Sequence, residues 1–194
     1  MMVLALDQAP RHSGFCYGES LAGVAPKWGV KDFESYGENE LPLIRDYRKW
    51  LSALCKTIKP AVIYCEQIVI DMRHINLMVT YQQFAVIGAI LCVADDLGID
   101  VFQVDIATWR KRALGKNNKP KWAAKGEDDW LKEAAKTACL ERSWLIEDHN
   151  AAEAALIWDY GCAHCDTAYR AATKPHVERV LLEREDKDRA FNGK

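Results

Sequence analysis

The chain has 194 residues, a length that fits one domain and is sufficient to bury a single hydrophobic core. Its 26 basic and 28 acidic residues give a formal charge of -2, so the overall charge does not indicate a nucleic-acid or membrane partner, and any such signal must be local. No stretch approaches the roughly 18 consecutive apolar residues of a membrane span, and the N-terminus lacks the basic region and cleavage site of a signal peptide. We therefore expect no membrane partner.

Short apolar runs separated by turns predict a sheet near the N-terminus. Residues 2–6 form an apolar run that ends at Asp7, a polar turn follows, and residues 14–18 alternate again, which predicts a strand, a tight connection and a second strand. Residues 28–36 predict a third strand. Apolar residues at helical spacing predict a helix over 41–58, and Pro60 follows its end.

The middle of the chain places a long helix between two further strands. Residues 61–65 are almost wholly apolar, as in a strand buried on both faces of a sheet, and this run also ends in an acid, Glu66. Residues 77–97 predict a helix that is apolar nearly all round in its middle and ends at Gly98. Residues 101–104 predict another short strand.

The remaining third is predicted to be helical after a basic loop. Residues 109–125 carry cations without an acid, and their glycine, asparagines and proline favour a loop. Helices are predicted over about 127–141 and from about 148–150 to 172, followed by an evenly charged tail that looks exposed or partly disordered. This order of elements predicts an α/β domain on a mixed sheet with helices packed on its faces.

The seven cysteines are expected to be free thiols. Four lie inside apolar runs, where a free cysteine behaves as a small buried hydrophobe: Cys16, Cys55, Cys65 and Cys92. Cys162 and Cys165 could form one ligand pair of a zinc site, but the sequence has no second pair. We therefore expect them to line the inner face of a helix instead. This cysteine usage favours a reducing, cytoplasmic compartment.

Two acids come directly after predicted strands. If the strands that end at Asp7 and Glu66 are parallel neighbours, their ends lie about 5 Å apart. In open α/β sheets the C-terminal strand ends form the edge at which ligands bind. A single aspartate after a strand is more often a turn residue, so each acid alone is weak evidence.

A third polar group opens the last predicted helix. It contains Asp148, His149, Asn150 and Glu153, and the alanines around Glu153 allow the helix to approach the sheet closely. Asn150 and Glu153 also match a capping box, in which the glutamate reaches back to the helix start. Carboxylates held close together repel each other unless they are protonated or bridged by a cation. Oxygen ligands suit Mg²⁺ or Mn²⁺, and two such ions roughly 3.5–4 Å apart support phosphodiester hydrolysis.

These three elements, in this order, resemble the RuvC-type Holliday junction resolvases of the ribonuclease H-like superfamily. The motifs that carry the resemblance are LALD…SGF at residues 4–15, VIYCEQ at 62–67 and NAAEA at 150–154. The resemblance spans roughly residues 2–172 and implies a ribonuclease H-like α/β fold, a mixed five-stranded sheet flanked by helices. We expect a nuclease domain over 1–173 and a charged C-terminal tail over 174–194.

The sequence departs from that family's pattern in three places. The loop after Asp7 reads QAP where the family commonly has Pro-Gly, and Ile68 with its neighbours stands where the family often has an aromatic wedge. The final acid is Glu153 rather than Asp, and its partner three residues earlier is Asn150, a weaker ligand. Either Asp148 or His149 supplies the extra ligand, and we favour Asp148. The expected catalytic and metal-binding set is therefore Asp7, Glu66, Asp148 and Glu153, with His149 and Asn150 as auxiliary residues.

The basic segment predicts contact with DNA. It carries seven cations and no acid over 110–125, and each phosphate that such a segment neutralises releases counterions and adds affinity. The expected DNA-binding residues are Arg110, Lys111, Arg112, Lys116, Lys119 and Lys121. Trp109 and Trp122 flank the segment and are able to stack on bases, although burial is the more frequent fate of a residue such as Trp109.

The resemblance implies a metal-dependent, structure-selective DNA endonuclease that resolves four-way junctions in recombination and repair. It implies paired symmetric nicks, two Mg²⁺ or Mn²⁺ ions bridged by Asp7, and a homodimer in which the apolar helix over 77–97 forms the interface. The expected setting is the cytoplasm of a bacterial cell or of a virus-infected bacterial host. Two alternatives stay open: a ribonuclease H-like nuclease on flaps or RNA–DNA hybrids, and a non-catalytic junction-binding module.

Overall fold

The computed structural model describes residues 1–34, 40–68, 76–115 and 130–192. Five strands lie in these ranges: β1 (Met2–Asp7), β2 (His12–Glu19), β3 (Lys27–Asp32), β4 (Val62–Glu66) and β5 (Asp100–Val104). They are accompanied by six helices: α1 (Glu40–Ile58), α2 (Leu77–Leu97), α3 (Ile106–Leu114), α4 (Trp130–Glu141), α5 (His149–Cys165) and α6 (Thr167–Asn192). All seven cysteines are free thiols. Burial is confirmed for Cys16, Cys55, Cys65 and Cys162, whereas Cys92 and Cys165, which were expected to be buried as well, are exposed.

The strands form one mixed sheet in the order β3-β2-β1-β4-β5, which confirms the predicted fold class. The hairpins β1–β2 and β2–β3 are antiparallel, whereas β1–β4 and β4–β5 are parallel. In the parallel pair at the centre, Val3 lies opposite Val62 and Leu6 lies opposite Cys65. The C-terminal ends of β1 and β4 are therefore neighbours, as the sequence analysis assumed.

Alternation along the strands divides the core into two layers. Val3, Ala5 and Tyr64 belong to the cluster formed with α3, α4 and α5. The intervening residues, such as Leu4 and Ile63, belong to the cluster formed with α1 and α2. Because side chains on a strand alternate between faces, the next residues in the first set, Asp7 and Glu66, point to the α5 side of the sheet.

The start of α5 lies directly on β2, and Gly14 is the residue that permits this contact. A Cβ atom at Gly14 would lie 2.0 Å from the backbone oxygen of Asn150 and 2.8 Å from the nitrogen of Ala151. The Asn150 side chain also donates a hydrogen bond of 2.7 Å to the backbone oxygen of His12. This close approach fixes the first turn of α5 against the sheet and explains why the motif contains Ser-Gly.

Helix α2 has one face in the core and one face in solvent. Asn76 caps its start, and Gly98 ends it in the left-handed conformation at φ 65°. Seven residues are buried against the sheet and α1: Gln82, Val86, Ile87, Ala89, Ile90, Val93 and Ala94. Helix α2 is also long and apolar enough to cross a membrane. The core helices of globular domains meet the same criterion of length and composition.

Helix α3 was not predicted from the sequence. Residues 109–114 were expected to start the basic loop, but 106–114 form a helix because the Asp105 carboxylate accepts hydrogen bonds from the Ala107 and Thr108 N–H groups. Trp109 and Ala113, one turn apart, then pack into the core. The segment beyond Gly115, which carries the rest of the predicted basic loop, lies outside the described residues.

The C-terminal region also differs from the prediction. The last predicted helix ends at Cys165, where Asp166 accepts hydrogen bonds from the Ala168 and Tyr169 N–H groups and starts a new helix, α6. Helix α6 continues to Asn192, so the predicted boundary at residue 173 falls inside it. It packs against α3, since a Cβ atom at Gly115 would meet Arg184 at 3.3 Å.

Candidate active site

The centre of the site is the pair of strand ends at Asp7 and Glu66. Each is the last residue of its strand and comes directly after the last pair of the β1–β4 ladder, and the side chain of Gln8 joins the two ends. The Gln8 amide donates to the Glu66 backbone oxygen and accepts from the Glu66 N–H at 2.9 Å. Gln8 thus extends the β1–β4 ladder with its side chain and fixes the backbone that carries Glu66.

Helices supply the third acid and the charge that faces it. Glu153 lies in the second turn of α5, and the Arg110 guanidinium of α3 approaches it with 3.7 Å between Nη2 and Oε1. Their side chains are only 16% and 15% exposed, so the ion pair is largely shielded from water. The guanidinium also lies over the Trp109 ring, 5.1 Å from its centroid.

Trp109 connects α3 to β4. Its ring is completely buried, and its Nε1–H donates a hydrogen bond of 3.0 Å to Glu66 Oε1. The sequence favoured burial of Trp109 over stacking on bases, and its burial is confirmed. The bond satisfies the buried indole donor and orients one oxygen of the glutamate.

The three acids affect each other's ionisation. Burial, followed by the charges of Glu153 and Glu66, raises the pKa of Asp7 well above its usual value. Burial raises the pKa of Glu66 to about 7, opposed by the Trp109 hydrogen bond and supported by Glu153. Burial likewise raises the pKa of Glu153, and Arg110 opposes that shift. The structure therefore brings Asp7, Glu66 and Glu153 into one electrostatically coupled group.

Asp148 lies at the margin of this group. It is the cap of α5, because its Oδ1 accepts the Asn150 and Ala151 N–H groups at 2.8 and 3.0 Å. The cap is thus two residues earlier than the capping box predicted at Asn150. Its other oxygen, Oδ2, lies 3.0 Å from His12 Nε2. Of the charges that raise the pKa of Asp7, that of Asp148 is the weakest.

His12 joins two acids at this margin. Its Nδ1 contacts Asp32 and its Nε2 contacts Asp148, and these hydrogen bonds raise the pKa of the imidazole. Because both acids only accept hydrogen bonds, the protonated ring satisfies both contacts. His149 follows the cap directly, and its charge lowers the pKa of Glu153.

The predicted DNA-binding residues do not share one surface. Arg110 lies among the acids, and Lys111 is exposed. Arg112 points inward, with its side chain 15% exposed. That placement argues against the expected DNA contact of Arg112, because a guanidinium engaged inside the protein is not available to a phosphate. Lys116, Lys119 and Lys121 lie outside the described residues.

Arg112 belongs to a second ionic cluster, centred on the buried Asp159. Its Nε lies 2.9 Å from Asp159 Oδ2, and its Nη2 donates to Thr173 Oγ1 at 2.8 Å. The hydroxyl of Tyr169 donates to Asp159 Oδ1 at 2.8 Å, and Arg142 approaches Oδ2 at 3.7 Å. This cluster joins α3, α5, α6 and the residue that follows α4.

Carboxylate oxygens on rigid strand ends are the donor type that Mg²⁺ and Mn²⁺ prefer, so the chemistry of the set fits the predicted ions. Within the described residues, no three His, Cys, Asp or Glu side chains are arranged to hold a metal ion as they stand. The three acids are close enough to perturb each other, and Arg110 is the guanidinium that lies beside them.

Three contributors to the site escaped the sequence analysis: Gln8, His12 and the hydrogen-bonding role of Trp109. Gln8 was considered only as a departure in a loop, although a glutamine directly after an acid at a strand end is placed to bond the next strand. A hydrogen bond from Trp109 could have been expected, because a buried tryptophan N–H group needs an acceptor. Nothing in the sequence indicates that His12 contacts Asp148, 136 residues away.

No protein-family model and no curated protein matches the chain. Solved structures do match. The RuvC structure from Thermus thermophilus has 16% identity and a TM-score of 0.60, covering 81% of this chain and 91% of that one. T. thermophilus RuvC in complex with a Holliday junction substrate has 14% identity and a TM-score of 0.60, covering 81% and 90%. The yeast mitochondrial Holliday junction resolvase has 11% identity and a TM-score of 0.59, covering 93% and 83%. The chain therefore has the RuvC-type, ribonuclease H-like fold that its motifs predict.

Proposed function

We propose that the protein is a metal-dependent, structure-selective DNA endonuclease that resolves four-way junctions by paired symmetric nicks. The observation that carries the proposal is the meeting of Asp7, Glu66 and Glu153 at the C-terminal edge of a resolvase-type sheet. These acids are separated by up to 146 residues in sequence (153 minus 7), and no folding requirement brings three like charges together. In its ionised form such a group is unfavourable unless cations join it.

The acids would hold Mg²⁺ or Mn²⁺, with two ions expected. When bound, such ions activate water and stabilise the departing oxygen of a phosphodiester. Asp7 lies on the central strand and is affected by the charges of both other acids, and it would hold the ions together with Glu66 and Glu153. Asp148 is the further ligand we favour, through the oxygen that contacts His12, since its other oxygen caps α5.

The remaining residues of the site hold these acids in place. Gln8 fixes the Glu66 backbone and Trp109 fixes its side chain, so the glutamate presents one orientation. The contact between Gly14 and the first turn of α5 sets the position of Glu153 relative to β1. Preorganisation of this kind is what catalysis by positioned charges requires.

Lys111 is exposed, and we propose that it contacts DNA together with the cations of the following segment, Lys116, Lys119 and Lys121. Arg110 lies deeper, beside the acids. Arg112 is left out of the proposed surface because Asp159 and Thr173 occupy its guanidinium.

We further propose a homodimer formed through the outer face of α2. Large apolar side chains are exposed along this face: Leu77, Tyr81, Phe84 and Leu91. An exposed apolar face on one helix favours a self-complementary contact, and two-fold symmetry would place two sites for two matched nicks. Light scattering on Phe84→Glu tests this interface: we expect a dimer to become a folded monomer, whereas Leu182→Glu, an exposed leucine on α6, leaves the dimer intact.

The decisive experiment uses purified full-length protein and an end-labelled four-way junction with Mg²⁺. We expect symmetric nicks that yield ligatable duplexes, and no cleavage when EDTA replaces Mg²⁺. Flaps and RNA–DNA hybrids of matched sequence are compared in the same reaction. Faster cleavage of either substrate would assign a different ribonuclease H-like activity. Junction binding without cleavage in both Mg²⁺ and Mn²⁺ would identify a non-catalytic binding module.

A further inference from the structure

The three acids of the site share one guanidinium. The charge of Arg110 lowers the pKa of Asp7, of Glu66 and of Glu153, so it acts on every member of the group. Arg110 reaches this position from α3, whose first turn is tied to the site by the Trp109–Glu66 hydrogen bond. The guanidinium is thus the positive charge that α3 contributes to the carboxylate group.

The contact that holds Arg110 is loose. Its Nη2 lies 3.7 Å from Glu153 Oε1, an ion-pair distance that exceeds hydrogen-bond length. Its Nε is buried and has no hydrogen-bond partner among the described residues. By contrast, the neighbouring Arg112 uses its Nε at 2.9 Å and its Nη2 at 2.8 Å in the second cluster. Arg110 is therefore attracted by the acids without being locked to any one of them.

We propose that Arg110 is an exchangeable internal counter-ion of the carboxylate group. It neutralises part of the group's charge when no metal is bound, and it moves away from Glu153 when a divalent cation binds. The inference rests on the proposed function, since it assumes that the acids bind metal. It adds a regulatory property to the site: the metal concentration at which the site fills is set by competition with a residue of the same chain.

The physical reason is competition for the same oxygens. A guanidinium and a divalent cation are both attracted to Glu153, and their positive charges repel each other at short range. Metal binding must therefore overcome the Arg110–Glu153 attraction. Two sites that compete in this way are coupled, and typical coupling between binding events corresponds to about 5- to 150-fold in affinity.

The first test measures Mn²⁺ affinity by calorimetry on the full chain without DNA. We expect Arg110→Gln to bind Mn²⁺ at least about fivefold more tightly than the wild type. Arg48→Gln is the matched control, because it removes a guanidinium from an exposed ion pair, that of Arg48 with Asp96. Its Mn²⁺ affinity should stay within about twofold of wild type, because solvent and salt screen an exposed charge.

A second measurement needs no variant and covers the case in which Arg110→Gln fails to fold. In protein labelled with ¹⁵N-arginine, addition of Mg²⁺ should shift the Nε–H resonance of Arg110, while that of Arg112 serves as an internal reference and stays in place. Equal or weaker Mn²⁺ affinity in a folded Arg110→Gln, or an unmoved Arg110 resonance at saturating Mg²⁺, would overturn the inference and leave the nuclease proposal standing. Absence of any metal binding by the wild type would overturn both.

Discussion

Two ionic clusters meet at α3, and arginines two positions apart enter them. At the sheet edge, three acids share the guanidinium of Arg110, held at 3.7 Å from Glu153. In the interior, the single carboxylate of Asp159 receives Arg112 at 2.9 Å, Tyr169 at 2.8 Å and Arg142 at 3.7 Å. The first cluster has more acids than cations, and the second has more cations than acids.

The comparison shows how similar residue types serve different purposes. A buried carboxylate surrounded by donors, such as Asp159, ties secondary-structure elements together. The acids at the sheet edge have fewer donors around them, and burial raises their pKa values. Residues two apart on a helix point in widely different directions, which is why α3 serves both clusters at once.

The largest effect is expected from Asp7→Asn, which removes the central acid of the first cluster. We expect junction binding to persist and cleavage to fall by about a thousandfold or more, as for other residues that act directly in catalysis. Gel shift and single-turnover cleavage with Mg²⁺ measure the two properties separately. Asp96→Asn, a change at an exposed acid that pairs with Arg48, serves as control. Cleavage at the normal rate by Asp7→Asn would refute the assigned role.

The matching change in the second cluster is Asp159→Asn. It leaves two buried arginines without their acid, so we expect the free energy of unfolding to fall by about 3–5 kcal/mol. Urea unfolding measures this change. The control is again Asp96→Asn, for which a loss below about 1 kcal/mol is expected because its ion pair is exposed. Similar losses for both variants would show that the interior cluster carries no special stability.

The pH dependence of stability separates the clusters further. Burial raises the pKa of Glu66 from 4.5 to about 7, so the folded state holds its proton more tightly than the unfolded state does. In metal-free protein, stability from this group is present below pH 4.5 and is lost as the pH rises through 7. Thermal melting of wild type and Glu66→Gln at pH 5 to 8 measures the difference.

We expect the metal-free wild type to lose more stability than Glu66→Gln over this range. The raised pKa of His12 also makes stability fall as the pH rises. This contribution cancels between the two proteins because both contain His12. Addition of Mn²⁺ should stabilise the wild type most at the upper end of the range, where the acids are ionised. Parallel curves for the two metal-free proteins would contradict the burial of a protonated Glu66.

The smallest expected effect comes from Tyr169→Phe, which removes one donor from Asp159 and keeps both arginines. Loss of a hydrogen bond to a buried charged acceptor costs about 1.5–3 kcal/mol. The reference change is Tyr160→Phe, whose ring stacks on His164, with an expected effect below about 0.5 kcal/mol. Urea unfolding measures the loss in the free energy of unfolding for both variants. A larger loss for Tyr160→Phe would contradict the stabilising role assigned to the Asp159 cluster.

The sequence alone determined the strands and predicted the acids of the candidate site. Apolar runs of strand length that end in acids predicted β1 and β4, and the structure shows the parallel pairing that was assumed for them. These features are local, because a few consecutive residues determine both the alternation of side chains along a strand and the residue at which the strand ends. Asp7 and Glu66 at strand ends, and Glu153 near a helix start, are therefore recognisable from the amino-acid sequence by itself.

Only the tertiary structure decided which charges meet. The sequence shows Arg110 and Arg112 as parts of one basic segment, yet packing of α3 sends one to Glu153 and the other to Asp159. In the same way, Asp148 became a helix cap bonded to His12, 136 residues away. Such partners depend on how helices pack on the sheet, and short-range patterns carry no information on contacts between residues so distant in the chain.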